Sequence, residues 1–486
     1  MFTCTSVEDA GSGDYAGCNC KCREIQDVTR RVETDLSRRG FISGIAASAA
    51  TIGLPRSALA DFVREMPARP ILFTNVRLFD GKSNSLREGI GLLIEGNRVI
   101  AVVTDDLVVD GAQVIDCGGR VVMPGLIDAH WHCYFAAVPL PTLLTADIGF
   151  LHLAAGAEAE RTLMRGFTTV RDLGGPAFAL KAAIDQGLVA GPRIYPSGAM
   201  ITSTGGHGDL RSLSDLPRRT GGPLSTPEQA GAAAIADSAD EVRMRVREQL
   251  FQGASQIKLV GGGGVSSPRS RIYMSTFSEA ELRAGVEEAG DRNSYVAVHA
   301  YAPPTIRRAI TAGAGCIEHA HLIDGPTARY MADKNVWLSI QPFISEADTG
   351  VLTGQSRLSA LQVFAGTDNA YNLAREYKLK TAFGSDMLFS ENLASRQGKM
   401  LAHLTRWYSN AEILRMATAA NAELLGLSGL RNPYPGKLGV VEEGALADLL
   451  VVDGNPLDDI RLIEDPGRTL MVIMKDGKIY KNTLGT

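Results

Sequence analysis

Two histidines one residue apart, His130 and His132, lie in GLIDAHWHCY (125–134), directly after the apolar run RVVMPG. Side chains at i and i+2 of a strand point to the same face, so both imidazoles can reach one point in space. That is a metal-ligand geometry, although an isolated His-x-His is equally compatible with two surface histidines. Other chemistry-bearing residues recur in the same setting, at the ends of short apolar runs. They are Lys258 in QIKLVGGGG, His299 and Tyr301 in YVAVHAY, His319 and His321 in CIEHAHLI, and Asp386 in TAFGSDM. His207 sits in the Gly-rich TSTGGHGD. Imidazole and carboxylate suit Zn²⁺ and related divalent cations. The candidates outnumber one tetrahedral shell, so a two-metal site is the natural arrangement. Lys258 needs a separate account, because an ammonium repels cations. Flanked by Ile257, Leu259 and Val260, it either snorkels at a strand end or loses its charge through desolvation. A neutral lysine can add CO₂ to form a carbamate that bridges two cations as a carboxylate would.

These groups converge only if the elements that carry them do. Eight strand candidates can be read: 125–132, 168–175, 193–198, 256–264, 295–301, 316–323, 336–343 and 381–387. Amphipathic helical patterns such as ADEVRMRVREQLFQG and EAELRAGVEEAG lie between several of them. Eight strand–helix alternations over roughly 300 residues predict an α/β fold, a (β/α)8 TIM barrel with its chemistry at the C-terminal strand ends. Short β segments with Gly, Asn and Asp turns fill 70–123, and the style returns in GALADLLVVDGNP and LMVIMKDGKIYKN. A small β-sandwich domain built from both ends of the mature chain is therefore predicted. The expected division is a leader at 1–60, sandwich at 61–123, catalytic barrel at 124–430 and sandwich again at 431–486.

The 486 residues are 45% hydrophobic and 21% charged with a net charge of −5, an ordinary soluble balance with nothing basic enough for nucleic acid. The N-terminus is a separate matter. SRRGFIS (37–43) is followed by the weakly apolar GIAASAATIGLP and then SALA before Asp61. Paired arginines, a moderate apolar region and an A-x-A-like end predict a twin-arginine export signal. The stretch is too short and too rich in Ala, Gly and Ser for a membrane anchor. The mature protein is expected to begin near Asp61 and to be periplasmic or secreted. Cys4, Cys18, Cys20 and Cys22 lie upstream of the signal, and Cys117, Cys133 and Cys316 form no disulfide framework.

Five motifs together, MPGLIDAHWH, QIKLVGGGGVSSP, VAVHAY, IEHAHLI and FGSDM, resemble the metal-dependent amidohydrolase superfamily over about residues 70–485. The branch most similar is the imidazolonepropionase-like and Xaa-Pro dipeptidase-like group, which includes the ochratoxin-hydrolysing amidohydrolases. The resemblance implies two Zn²⁺ ions per subunit bridged by N6-carboxylated Lys258. It also implies that His130 and His132 hold the more buried metal and that His299 and His319 hold the second. Asp386 touches metal and serves as general base. Tyr301 and His207 are the candidates for stabilising the tetrahedral oxyanion. A homo-oligomer, an octamer, is implied as well.

The implied reaction is cleavage of an amide bond to a C-terminal amino acid, of carboxypeptidase or dipeptidase type, with ochratoxin A giving ochratoxin alpha and phenylalanine as an example. His207, Arg211 and Arg171 are the candidates for the substrate carboxylate, and Phe135, Phe343 and Met387 for a planar apolar acyl group. An Xaa-Pro dipeptidase is the alternative of the same class, and a lactonase or phosphotriesterase could use the same metals. A deaminase of this fold would carry an acid just after the fifth-strand histidine, where this chain reads HAYAPP. A non-catalytic scaffold would not need the full ligand set. His152 and His403 sit in helical stretches and are expected to be ordinary.

The export reading has a direct test. Residues 1–65 fused to a reporter active only after folded export should lose transport when Arg38 and Arg39 are both changed to Lys. Undiminished transport in the double variant would exclude the twin-arginine signal.

Overall fold

The computed structural model describes residues 69–216, 223–267 and 269–484. The leader at 1–60, with its arginine pair and four cysteines, lies outside the described residues. Five strands open the described chain: β1 (Ile71–Leu78), β2 (Arg87–Glu95), β3 (Arg98–Thr104), β4 (Gln113–Asp116) and β5 (Val121–Pro124). Three close it: β16 (Leu449–Val452), β17 (Leu470–Lys475) and β18 (Lys478–Asn482). All eight share one mixed sheet in the order β18-β17-β16-β5-β1-β2-β3, with β4 beside β1. The join between the two ends is the antiparallel β5–β16 ladder, which aligns Pro124 with Leu449 and Val121 with Val452. Phe73, Val122, Val451 and Met474 lie in one apolar core beneath it.

Between these ends, among the described residues, run ten parallel strands. They are β6 (Leu126–Trp131), β7 (Phe167–Asp172), β8 (Arg193–Pro196), β9 (Met200–Thr202), β10 (Ala233–Ile235), β11 (Ile257–Val260), β12 (Val296–Ala300), β13 (Cys316–His319), β14 (Trp337–Ile340) and β15 (Thr381–Phe383). Helices such as Ala239–Phe251, Glu279–Asp291 and Pro303–Ala312 separate several of them. The architecture is therefore α/β. Each of the eight sequence-predicted strands coincides with an observed one, and β9 and β10 are three-residue additions. β6, β7, β11, β12 and β13 are buried along their whole length. That explains their apolar runs, since a strand covered on both faces shows no alternation.

The parallel ladders form two sheets, a three-stranded β6-β7-β8 and a seven-stranded β10-β9-β11-β12-β13-β14-β15. No strand ladder among the described residues closes them into one cylinder, and the junctions are made largely by side chains. At the β6/β15 junction, Asn421 Nδ2 donates to Ile127 O at 2.7 Å and Phe383 O at 2.8 Å, and its Oδ1 accepts from Phe383 N–H at 3.1 Å. At the β8/β11 junction, Gln256 Nε2 donates to Tyr195 O at 2.8 Å and Asp172 O at 3.1 Å. Ser255 N–H adds a backbone bond to Pro196 O. Among the described residues no helix is long and apolar enough to cross a membrane.

Asn421 replaces ladder bonds that backbone pairing does not make, and it is fully buried. Removing it strands buried backbone groups on both strands, each at a cost of about 1–3 kcal/mol. Asn421→Ala is expected to lower stability by at least about 2 kcal/mol, read as a fall in calorimetric Tm. An unchanged Tm would show that the junction does not rely on this amide.

Candidate metal centre

The C-terminal ends of β6, β11, β12, β13 and β15 bring their polar residues to one cavity. His130, His132, Lys258, His299, His319, Asp386, Tyr301 and His207 all line it. His130, His319 and Asp386 each place one ligand atom within 4.8 Å of the others. Asp386 Oδ1 lies 3.3 Å from His132 Nε2 and 3.6 Å from His130 Nε2. It is buried and has no hydrogen-bond partner. His319 Nδ1 is 3.9 Å from Asp386 Oδ2, and the His299 and His319 rings meet with centroids 4.4 Å apart. Lys258 Nζ stands 3.5 Å from His130 Nε2.

The tautomers follow from the partners. Glu318 Oε2 accepts from His130 Nδ1–H at 2.8 Å, and Gly174 O accepts from His132 Nδ1–H at 3.1 Å. Both histidines thereby turn an unprotonated Nε2 toward Asp386. Gln341 Oε1 accepts from His319 Nδ1–H at 2.7 Å, which frees Nε2 of that ring. Gly263 O accepts from His299 Nε2–H at 2.8 Å, leaving Nδ1 free. Fixing the far nitrogen orients an imidazole for metal and raises its basicity. Burial, then the neighbouring Lys258 and histidines, drives the His130 pKa well below the usual histidine range. His319 and His299 are lowered in the same way, burial leading and neighbouring histidines following. Neutral imidazole is the metal-binding form. Burial also lowers the Lys258 pKa, toward the free amine that carboxylation requires.

The donor set fits divalent cations. Imidazole nitrogens and an unpartnered carboxylate oxygen lie close together, and a cation there would satisfy the buried Asp386 Oδ1, which has no hydrogen-bond partner.

Local backbone geometry makes the convergence possible. His319, Ala320 and Asp386 have φ of 77°, 52° and 48°, a left-handed conformation that is costly for residues with a Cβ and often found at functional sites. In a regular strand Glu318 and His319 would face opposite ways. The turn at His319 lets both serve the site, Glu318 under His130 and His319 beside it. Gly384 allows the close approach of β15 to β6, since a Cβ there would lie 2.4 Å from His130 Cβ.

Under the ligands lies a layer that sequence reasoning missed. Glu318 bonds Arg171 Nη2 at 2.7 Å, and Arg171 also donates to Ala129 O and to the Tyr295 hydroxyl. Asp128 accepts from His130 N–H, Ser385 N–H, Ser385 Oγ–H and Gln397 Nε2–H. Burial raises its pKa to about 6 despite these four donors. The one sequence signal for Asp128 was its place two residues before His130.

The cavity, about 1110 Å³ and open to solvent, is otherwise mostly apolar, with Phe135, Phe343, Phe364 and Phe389 among its walls and Ser266, Ser267, Asp348 and Thr349 as its other polar residues. Tyr301 stacks on His319 with centroids 4.9 Å apart, and burial holds its phenol protonated. His207 stacks on His299 at 4.5 Å, and burial lowers its pKa to about 3.

Three sequence-level expectations are corrected. Arg171 cannot meet a substrate carboxylate, because it is fully buried and committed to Glu318. Arg211 does not line the cavity and is paired with Asp209 at 2.7 Å. Met387 is a core residue, and Leu388 and Phe389 take the place expected of it at the cavity wall. His321 also stays out of the cavity, donating from Nε2 to Gln341 O. His152 pairs with the Tyr134 hydroxyl and His403 ends the helix Gln397–His403, so neither joins the site.

Residues 121–480 match the family model described as the amidohydrolase family. An ochratoxinase of Aspergillus niger is 28% identical, with 94% of this chain and 96% of that protein covered. A crystal structure of an amidohydrolase superposes with a TM-score of 0.79 at 36% identity, covering 86% of this chain and 100% of that one. A prolidase complexed with N-methylphosphonate-L-proline gives a TM-score of 0.77 at 33% identity, covering 85% and 100%.

The Glu318–Arg171 pair should separate stability from metal affinity. Glu318→Gln leaves a buried guanidinium without its counter-charge, and an unpaired buried charge costs about 3–5 kcal/mol. Metal affinity should also fall by about 10–100-fold. Replacing both residues, Arg171→Met with Glu318→Leu, should recover much of the stability but none of the metal affinity. Chelator competition and denaturant melts on the metal-stripped proteins report the two quantities. Wild-type metal affinity in Glu318→Gln would refute the positioning role.

Proposed function

The chain belongs to the amidohydrolase family and is a hydrolase of amide bonds; from that premise we propose that it releases a C-terminal amino acid from an apolar acyl group, using two divalent cations. The observation that carries this reading is the convergence of His130, His132, Lys258, His299, His319 and Asp386 beneath an aromatic cavity. Zinc is the metal best suited to the donors, with carboxylated Lys258 as the bridge, His130 and His132 on the inner ion and His299 and His319 on the outer. Cations bound there would acidify water to a pKa of about 7 and polarise the scissile carbonyl. Asp386, facing His130 and His132, takes a proton from the attacking water and returns one to the leaving amine. Tyr301 donates a hydrogen bond from its phenol to the oxyanion. His207 is the third group on this side and holds the substrate carboxylate or assists Tyr301.

The relatives support the substrate class. One is an ochratoxinase, and another is a prolidase solved with a phosphonate derivative of proline. Ochratoxin-type amides releasing phenylalanine suit the aromatic walls, and an Xaa-Pro dipeptide is the second reading, favoured by the prolidase likeness. The two parallel sheets are read as arcs of one (β/α)8 barrel, with the mixed sheet as the core of a small domain made by both ends. The asparagine and glutamine junctions support that reading. Action in the periplasm after export, and assembly as an oligomer, complete the proposal.

Metal analysis of the purified enzyme should give two equivalents of divalent cation per chain. Lys258→Ala is expected to lose at least one equivalent and most activity, with partial rescue by short carboxylic acids. Asp386→Asn should keep most of its metal and lose turnover. Wild-type metal content and rate in Lys258→Ala would exclude the bridge. Matched free-acid and carboxamide substrates test the amino-acid reading. Masking the carboxylate should lower kcat/KM by at least about tenfold, the worth of one charged hydrogen bond, and equal rates would favour a general amidase.

A further inference from the structure

A second cavity of about 1010 Å³ adjoins the first. The two share Phe135, Leu143 and Leu210 as a common wall. Beyond that wall the lining is apolar, with Leu144, Ile148, Leu151, Ala230 and Ala232 among it and no charged side chain among the described residues. Its polar members are engaged or peripheral: Tyr134 bonds His152, and Thr226 and Gln229 are exposed. Leu144 and Ile148 each leave 41% of their surface uncovered, apolar area that costs free energy until something covers it.

The wall connects the second cavity to the chemistry. Phe135 is buried and stacks on His132, with ring centroids 5.5 Å apart and 25° between planes. The same ring therefore borders a metal-facing histidine and the apolar annex. Leu143 and Leu210 are only half-buried, so they form a lip between the cavities. A long acyl group, held with its carbonyl at the ligand cluster, reaches the lip and has apolar surface to cover beyond it.

We propose that this annex binds the distal, apolar part of the substrate's acyl group, making long-chain N-acyl amino acids a substrate class of the enzyme. The proposal rests on the amide-hydrolase reading of the first cavity but is tested by binding, so the two can fail separately. Each methylene moved from water to an apolar site favours binding, so affinity should climb with chain length until the annex is full.

The probes are N-acetyl-, N-octanoyl- and N-dodecanoyl-L-phenylalanine. Affinities are measured by calorimetry on metal-replete Asp386→Asn, which removes turnover, with and without Ala230→Trp. Ala230 is half-buried and away from the ligands, so an indole there fills the annex from its outer side. N-octanoyl-L-phenylalanine is expected to bind at least tenfold more tightly than the acetyl compound. Ala230→Trp should abolish that gain and leave the acetyl affinity unchanged. On the otherwise wild-type enzyme, kcat/KM for the long chains alone should fall. A gain that survives Ala230→Trp, or no gain at all, overturns the proposal. So would a change of oligomeric state in Ala230→Trp with the chain-length gain intact, which would assign the annex to a second copy of the chain.

Discussion

A guanidinium with no exposed surface lies 2.7 Å from an equally buried carboxylate, directly beneath the first histidine of the ligand cluster. Burying two charges is expensive, and a pair of this kind is seldom the most stable filling for a core. What Arg171 and Glu318 supply is orientation. Arg171 is pinned to Ala129 O and the Tyr295 hydroxyl, so Glu318 has one position, and His130 one tautomer and one plane. The ligand cluster inherits its geometry from that layer. Gln341 extends it, accepting from His319 and standing 3.3 Å from His130 Nδ1.

The second organising feature is the contact between the first and last parallel strands. Asp128 and Asn421 bridge it with side chains, and Asp386 N–H donates to His130 O at 2.9 Å. The carboxylate of the candidate metal centre is thus hung directly from the backbone of one of its histidines. Gly384 sets the spacing and the left-handed Asp386 aims the carboxylate. Rigidity here comes from short polar contacts in a buried setting, where an unmade hydrogen bond is costly.

Most of the site was legible because parallel strands place their C-terminal ends together. Reading polar residues at the ends of apolar runs was enough to find His130, His132, Lys258, His299, His319 and Asp386. Tyr301 followed from its place two residues beyond His299 on the same face. What lay beneath was not legible. Glu318, Gln341 and Gln397 are polar residues whose partners lie elsewhere in the sequence, and no spacing rule announces them; Asp128 was marked only by its place two residues before His130. Arg171 looked substrate-facing because its strand end does face the site, but the charge beneath that face captured it. Met387 was misplaced because it was expected at the mouth as a neighbour of Asp386, whereas β15 ends at Phe383 and the chain turns through the left-handed Asp386, sending Met387 into the core. The strand pattern itself was clear, whereas the side-chain junctions between the two parallel sheets carry no periodic signal.

The Asp128–Ser385 contact, 257 residues apart in the chain, and the β5–β16 ladder, which joins residues farther apart still, also set an order of events during biosynthesis. Contacts of such sequence separation form late and slow folding. While the N-terminal half is emerging from the ribosome, His130 and His132 have neither Asp386 nor the strand that carries it. A nascent chain therefore holds only fragments of the candidate metal centre. The full cluster arises only once Asp386 and the strand that carries it have been made.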